Sequence, residues 1–440
     1  MFTKSRLSLV LAQAHIRSRS QQFRNSIQYK NAANTSKGLM DKTINQCLLC
    51  EGKTEMIFDL GEQPPANALK NNPNTFVRCA RLAAQMCTQC THVMQKVSYN
   101  AKELFDHYLY VSGTSNTLND YFEWFAENVS LHHPNADVLE IASNDGTLLQ
   151  KLAKRGATVT GIEPAKNLLE LSSKKGVYTI PAYWPLNMGN ERYDVVIAMN
   201  VLAHNDDPIA FLKGIEACLT DDGVAYIQVS QMDMLANGEF DTIYHEHVSF
   251  FTVDSFTLAC TRAGLRVGFR QRVNVHGGSM LAAVCKRDSF PSPIPFAPSK
   301  WNEGRLHQLT WMDGQRFANG VNRAVESMRS VIKQAKSDGY VVVMVGCAAK
   351  AVTLMQAIND DPHVVVDESP LKIGKYLPNS TQQIVALQTV SEIRQKCLFI
   401  LGAWNFKQEL IRKLQELRDP HLYDSVLTPF PMTFKESLHG

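Results

Sequence analysis

Hydrophobic positions along the chain change period several times, and those changes outline its elements. The stretch from Ala136 to Glu163 reads ADVLEIASNDGTLLQKLAKRGATVTGIE. Val138, Leu139 and Ile141 form a short apolar run that predicts a buried strand. A small polar loop follows, Ala142-Ser143-Asn144-Asp145-Gly146. From Thr147 the period turns helical, with Leu148, Leu149 and Leu152 on one side, until Gly156 stops it. A second strand, Ala157 to Ile162, ends on Glu163. A strand, tight loop, helix and strand ending in a carboxylate form half of a nucleotide-binding crevice. The loop backbone approaches the ligand, and the carboxylate accepts ribose hydroxyls. The loop is not GxGxxG, so the dinucleotide fingerprint is missing. An ordinary βαβ unit fits the same pattern.

The same reading extends in both directions. Residues 101–135 are predicted mainly helical, with Leu104, Phe105, Leu118, Tyr121, Phe122 and Phe125 as the apolar positions. Between them, Tyr108 to Ser115 (YLYVSGTS) is an aromatic, hydroxyl-rich loop that suits a polar ligand or a packed connection. Strands follow at Val177–Ile180, Tyr193–Met199 and Gly223–Val229, with helices near Pro208–Leu219 and Val253–Ala263. Leu265–Arg272 and Ser279–Lys286 read as a closing strand pair. Pro291–Pro298 (PSPIPFAP) is a linker, and Arg305–Ser337 a long helical segment. Val341–Val345, a small-residue turn and a helix make a second βα unit, with further strands at Val364–Asp367 and Leu398–Leu401. The Gly346–Lys350 turn suits a phosphate, because free N–H groups and a Lys charge meet there. Small residues at such a turn also simply permit close packing.

Composition changes this picture in three places. At 440 residues the chain has room for two to three domains. Residues 1–40 hold seven Lys/Arg and no acid. Without them acids outnumber bases, so the net charge of +3 hides a mildly acidic body that argues against nucleic-acid binding. The leader is Arg- and Ser-rich, as mitochondrial transit peptides are, and predicts a mitochondrial location; a basic tail on a cytoplasmic protein is the alternative. No apolar run approaches the length of a membrane span, so no membrane partner is expected. Among ten cysteines, Cys47-x-x-Cys50 and Cys87-x-x-Cys90 stand out. Two such knuckles supply four thiolates to one tetrahedral Zn²⁺ with no open position, a structural staple. Chance pairs of buried thiols are the alternative.

Read in order, these motifs resemble those of class I S-adenosylmethionine-dependent methyltransferases, and more closely the sugar C-methyltransferase family. The match includes the paired cysteines, LGEQPPAN (Leu60–Asn67), YLYVSGTS, the ASNDG loop and NVLAH. It continues through DTIYHEHVSFF (Asp241–Phe251), HGGS (His276–Ser279), DESPLKIGKYLP (Asp367–Pro378) and AWNF (Ala403–Phe406). The resemblance implies an α/β protein: a class I methyltransferase Rossmann-like domain between an N-terminal zinc-binding domain and a C-terminal Rossmann-like domain. The expected bounds are a leader over 1–38, then 44–100, 101–288 and 300–440. It implies S-adenosylmethionine as cofactor and a nucleotide-linked 4-keto-6-deoxy sugar as the partner methylated on carbon. The cofactor residues would be Ala142, Ser143, Asn144, Asp145, Gly146, Glu163 and Asn200. The family's first loop more often reads DIGSNDG; here Glu140 and Ala142 replace Asp and Gly. Should that third position need φ > 0, Ala costs on the order of 1 kcal/mol.

Bond formation next to a ketone requires a base for the α-proton and donors near the developing oxyanion. A histidine supplies the base most readily. By the resemblance, His247 of Tyr244-His245-Glu246-His247 is that base, while Tyr244, Glu246 and His204 surround the reacting sugar. If the segment is extended, His245 faces the same way and shares the candidacy. A metal bound by the alternating histidines, or a structural pair, fits the spacing too. By the same resemblance, Tyr108 or Tyr110 would close the pocket and Lys350 would contact the sugar nucleotide. Rivals from other classes are a non-catalytic binding or assembly protein on the same fold and a zinc-ribbon nucleic-acid binder.

Overall fold

The computed structural model describes residues 41–230, 233–289, 293–430 and 434–439. The basic leader lies outside the described residues. Among the described residues, three larger sheets and a two-stranded pair of Lys42–Thr43 with Val97–Ser98 build the fold. In the first, β1 (Thr54–Gln63) and β2 (Ala80–Cys87) pair antiparallel, and β3 (Val93–Gln95) follows β2. A helix, α1 (Asn116–His132), then buries Leu118, Tyr121, Phe122 and Phe125. Its N-cap Ser115 accepts the Leu118 N–H.

The central domain follows in βα order: β4 (Asp137–Ile141), α2 (Thr147–Ala153), β5 (Thr158–Ile162), α3 (Lys166–Lys174), β6 (Tyr178–Ile180) and β7 (Tyr193–Met199). After them come α4 (Pro208–Cys218), β8 (Leu219–Ser230), β9 (Ser249–Phe250), α5 (Val253–Arg262), β10 (Leu265–Val273) and β11 (Ser279–Lys286). The central sheet runs β10-β11-β8-β7-β4-β5-β6. It is parallel except at β11, which is antiparallel to both neighbours. The near-continuous apolar run of β7, YDVVIAM, is what a strand covered on both faces needs. Strand order reverses between β4 and β7, which opens a crevice at their carboxyl ends. Short β9 leaves this domain and pairs with β3 in the first sheet. The residues just before it are thereby fixed against the N-terminal domain.

The connecting segment is more than a linker, since Phe296 and Trp301 pack into the core under α1. The long helix α6 spans Trp311–Ser337, starting six residues later than expected, where Thr310 and Asp313 form a capping box. Its stripe of Phe317, Val321, Val325, Met328 and Ile332 is buried. The last domain comprises β12 (Val341–Val345), α7 (Ala349–Ile358), β13 (Val364–Asp367), β14 (Ile384–Ala386), β15 (Cys397–Leu401), α8 (Lys407–Leu417), β16 (Ser425–Thr428) and β17 (Phe434–Ser437). Its sheet order is β14-β13-β12-β15-β16-β17. Here too the order reverses, at β12 and β15. No helix among the described residues is long and apolar enough to cross a membrane.

Candidate active site

The two switch points open on one cavity of about 890 Å³, lined by side chains from all three domains. On the central side lies the loop after β4. Its Ala142 has φ 56°, Asn144 52° and Gly146 74°, so three of five residues are left-handed. The third position of the motif does require φ > 0, and Ala142 carries that strain. Asn144 ties the loop to the Tyr108–Ser115 segment: its Oδ1 accepts the Ser112 and Asp145 N–H groups, and its amide donates to Tyr110 O at 3.0 Å. Asp145 caps Thr147 through Oδ1 and pairs with Lys175 through Oδ2. Glu163, at the end of β5, accepts Asn144 N–H (2.9 Å) and Ala165 N–H (2.8 Å), one per oxygen. Burial raises its pKa, and those two N–H groups partly offset the shift.

Ala142 to Asp145, Glu163 and Asn200 all line the cavity. Gly146 does not; it is the turn behind the loop, where a Cβ would meet Ser172 at 3.0 Å. The crevice is suited to a polar guest. Ser143 Oγ and Glu140 Oε2 are buried there without a partner among the described residues, and an unmet buried polar group is costly unless a ligand or water meets it.

Opposite this loop stands Tyr244-His245-Glu246-His247, where the extended reading fails. The segment is a turn closed by His247 N–H to Tyr244 O, and its two histidines part. His245 is a correction: its Nε2 meets Ala80 O at 3.1 Å and its ring abuts Tyr99, and it does not line the cavity. His247 does line it. Its Nδ1–H donates to Thr242 O (2.8 Å), which leaves Nε2 to accept the Tyr244 hydroxyl (2.9 Å). Gln95 of β3 fixes the turn by donating to Tyr244 O and His247 O. Burial first, and the His204 charge second, hold the His247 pKa well below the usual histidine range. The His204 ring lies 5.0 Å from that of His247. Glu246 is buried and pushed up to about 7 by desolvation. Tyr108 and Tyr110 both line the cavity, their rings 6.4 Å apart.

On the third side the C-terminal domain repeats the device. Asp367 ends β13 and accepts Cys347 N–H (2.7 Å) on one oxygen and Ser369 N–H (2.8 Å) on the other. Lys350, in the first turn of α7, is 9% exposed. Its ammonium sits 4.3 Å from the Trp404 ring centre and has no hydrogen-bond partner among the described residues. The Trp404 indole N–H reaches Asp241 at 2.7 Å. Residues that sequence reasoning did not assign to the site also face the cavity: Asn67, Glu140, His276, Asp367 and Lys372. All of them lie in stretches quoted above, but only tertiary contact reveals which side chains point inward.

Away from the cavity, the sulfurs of Cys47, Cys50, Cys87 and Cys90 all lie within 4.8 Å of one another. Contacts of 3.4–3.5 Å join Cys47 to Cys90 and Cys50 to both Cys87 and Cys90. Tetrahedral Zn²⁺ with bonds of about 2.3 Å needs sulfurs roughly 3.8 Å apart, so the set fits with small adjustment. Backbone N–H groups of Leu49 and Gln89 point at Cys47 and Cys87 sulfurs, as thiolate acceptors require.

Residues 47–105 match a zinc binding domain, 112–268 a methyltransferase domain and 274–425 a C-methyltransferase C-terminal domain. These matches support a C-methyltransferase. It is 28% identical over 346 residues to C-methyltransferase NovU of Streptomyces niveus, covering 75% of this chain and 82% of that protein. A ubiquinone biosynthesis O-methyltransferase of Vibrio parahaemolyticus is 33% identical over 96 residues, 20% of this chain and 40% of that enzyme. A solved 1,6-didemethyltoxoflavin-N1-methyltransferase of Burkholderia thailandensis covers 40% of this chain and 81% of its own at 18% identity, with TM-score 0.33. This C-methyltransferase is thus an S-adenosylmethionine-dependent enzyme of class I fold with a zinc site of four cysteine thiolates.

Proposed function

We propose that this C-methyltransferase methylates a carbon beside the ketone of a nucleotide-linked 4-keto-6-deoxy sugar, through an enolate. The observation that carries the reading is the His247–Tyr244 pair in a cavity with a nucleotide-type crevice on each side. Ala142–Asp145, Glu163 and Asn200 are assigned to S-adenosylmethionine, with Gly146 shaping the loop. When bound, that group supplies a methyl already electrophilic on sulfonium, so no metal is needed for the transfer.

The residues of this chain supply the rest. His247 enters neutral, because burial disfavours its charged form. As the Tyr244 oxygen takes the carbon-bound proton, its own passes along the 2.9 Å hydrogen bond to Nε2. The Thr242 carbonyl steadies the resulting imidazolium through Nδ1–H. Glu246, with a pKa near 7, is partly protonated at neutral pH and can donate toward the enolate oxygen. The second crevice supports the nucleotide half of the substrate: Lys350 at the start of α7 suits a pyrophosphate, and Asp367 occupies the place that Glu163 holds in the first crevice. Tyr108 and Tyr110, which line the cavity, are assigned to closing it over the sugar.

Labelled S-adenosylmethionine and a panel of nucleotide-linked keto sugars test the activity directly. His247→Ala should lower turnover by about 10²–10⁴-fold and leave cofactor affinity intact, since the base acts only in the chemical step. Exchange of the α-proton with heavy water isolates that step. Exchange at the wild-type rate in His247→Ala would place the base elsewhere. We also propose that the Arg- and Ser-rich leader directs the protein to mitochondria; a reporter carrying residues 1–38 that stays in the cytosol would exclude it.

A further inference from the structure

The zinc-binding domain contributes one side chain to the cavity whose contacts are unlike those of a structural neighbour. Asn67 sits in the loop after β1, in Pro64-Pro65-Ala66-Asn67-Ala68-Leu69-Lys70. Its amide Nδ2–H donates to Glu246 Oε1 at 2.9 Å, across 179 residues of sequence. Glu246 is 1% exposed, and its second oxygen, Oε2, has no partner among the described residues. Both residues line the cavity.

The loop is also held from outside its own domain. Gln356 of α7 donates to Pro64 O at 3.2 Å. At the other end Lys70 pairs with Tyr376 in an isolated antiparallel bridge, its buried ammonium meeting Pro73 O and Ser380 O. One domain therefore supplies Asn67, a second supplies Glu246, and the third fixes the loop between them. Anchors at both ends give Asn67 a defined position without any contribution from the zinc cluster.

We propose that Asn67 is a positioning residue of the active site: its amide holds one oxygen of the Glu246 carboxyl and leaves the other open to the acceptor. Free rotation would let either oxygen turn away, and a buried carboxyl without Asn67 would lose the donor that favours its charged form. The titratable groups whose fields couple to Glu246 are Tyr108 and Tyr244, with His245 and His247 beside it in sequence. For the acceptor, the proposal rests on the keto-sugar reading above.

Two measurements separate the proposal from that reading. The first needs no acceptor: infrared titration of the carboxylic C=O band that Glu246→Gln removes. Asn67→Ala should move its midpoint to higher pH. The isosteric Asn67→Asp, which exchanges the donor for an acceptor, should move it further, while Asn67→Ser, retaining an O–H donor, should restore it in part. An unmoved midpoint in all three variants overturns the proposal. The second is steady-state kinetics with a nucleotide-linked 4-keto-6-deoxy sugar. Asn67→Ala should lower kcat/KM for the acceptor about 10- to 100-fold, the loss of one charge-assisted hydrogen bond, with zinc content and S-adenosylmethionine affinity unchanged. Zinc or cofactor lost in step with activity would make Asn67 merely structural. If the wild-type protein neither methylates the sugar nor exchanges its α-proton, the substrate reading fails while the infrared midpoint still judges Asn67.

Discussion

Glu163 and Asp241 show how much one buried carboxyl can decide. Both oxygens of Glu163 already hold backbone N–H groups, one from Asn144 in the loop after β4 and one from Ala165. Its removal should therefore cost binding twice, through the lost acceptor and through a loosened loop. Glu163→Ala should weaken S-adenosylmethionine binding by about 1–3 kcal/mol in calorimetry; an unchanged affinity would place the cofactor in another crevice. Asp241 is raised from 3.8 to about 7 by burial, one oxygen taken by Trp404 and the other without a partner among the described residues. The folded protein thus binds this proton more tightly than the unfolded chain does. Stability from Asp241 is present at low pH and is lost as pH rises from about 4 to 7. Asn keeps the acceptor for the indole without that ionisation. Denaturant titrations should show Asp241→Asn gaining stability relative to wild type across that window, by at most about 1.4 kcal/mol per pH unit, and levelling above it. A pH-independent difference would mean that Asp241 does not titrate there.

At the scale of elements, the loop after β4 determines whether the first crevice can exist. Its left-handed Ala142 is strained by about 1–2 kcal/mol relative to glycine, partly offset because glycine is more flexible in the unfolded chain. Ala142→Gly should raise thermal stability modestly, by up to about 1 kcal/mol, and leave cofactor binding at least as tight. A destabilised variant would show that the Ala142 methyl packs against something worth more than the strain. The His245–His247 turn is the matching element on the other wall. Because β9 pairs with β3 directly after it, the turn is anchored in the N-terminal sheet, and Gln95 fixes its carbonyls.

For the whole molecule, the zinc-binding domain is joined to the chemistry through that sheet. Cys87 ends β2, beside the strand that carries Gln95. Cys87→Ser should lower bound zinc from about one per chain and reduce stability, because metal binding contributes to folding free energy. It should also reduce turnover more than a distant staple would, since β3 and β9 share one sheet. Metal analysis finding no zinc in a folded, reduced wild-type protein would remove the claim. Equal turnover in a zinc-depleted variant would uncouple the domain from the site.

Much of this was determined by local sequence. Periods of apolar residues set the βαβ order, because burial on two faces or one stripe imposes a spacing that can be counted. The CxxC pairs set the thiolate cluster, since such short knuckles place two sulfurs together whatever the surrounding fold. The sequence raises strain at Ala142 only as a condition, from loops of the resembling family that carry glycine there; the backbone, with φ 56°, decided it. Tertiary structure alone decided the rest. His245 and His247 are indistinguishable in an extended segment, and only pairing of β9 with a distant sheet forces the turn that separates them. Glu246 gains its donor from Asn67, and Lys350 its place over Trp404, across gaps in sequence that no periodicity can bridge. Which polar side chains are buried facing a common cavity depends on how three domains pack, and that is long-range information.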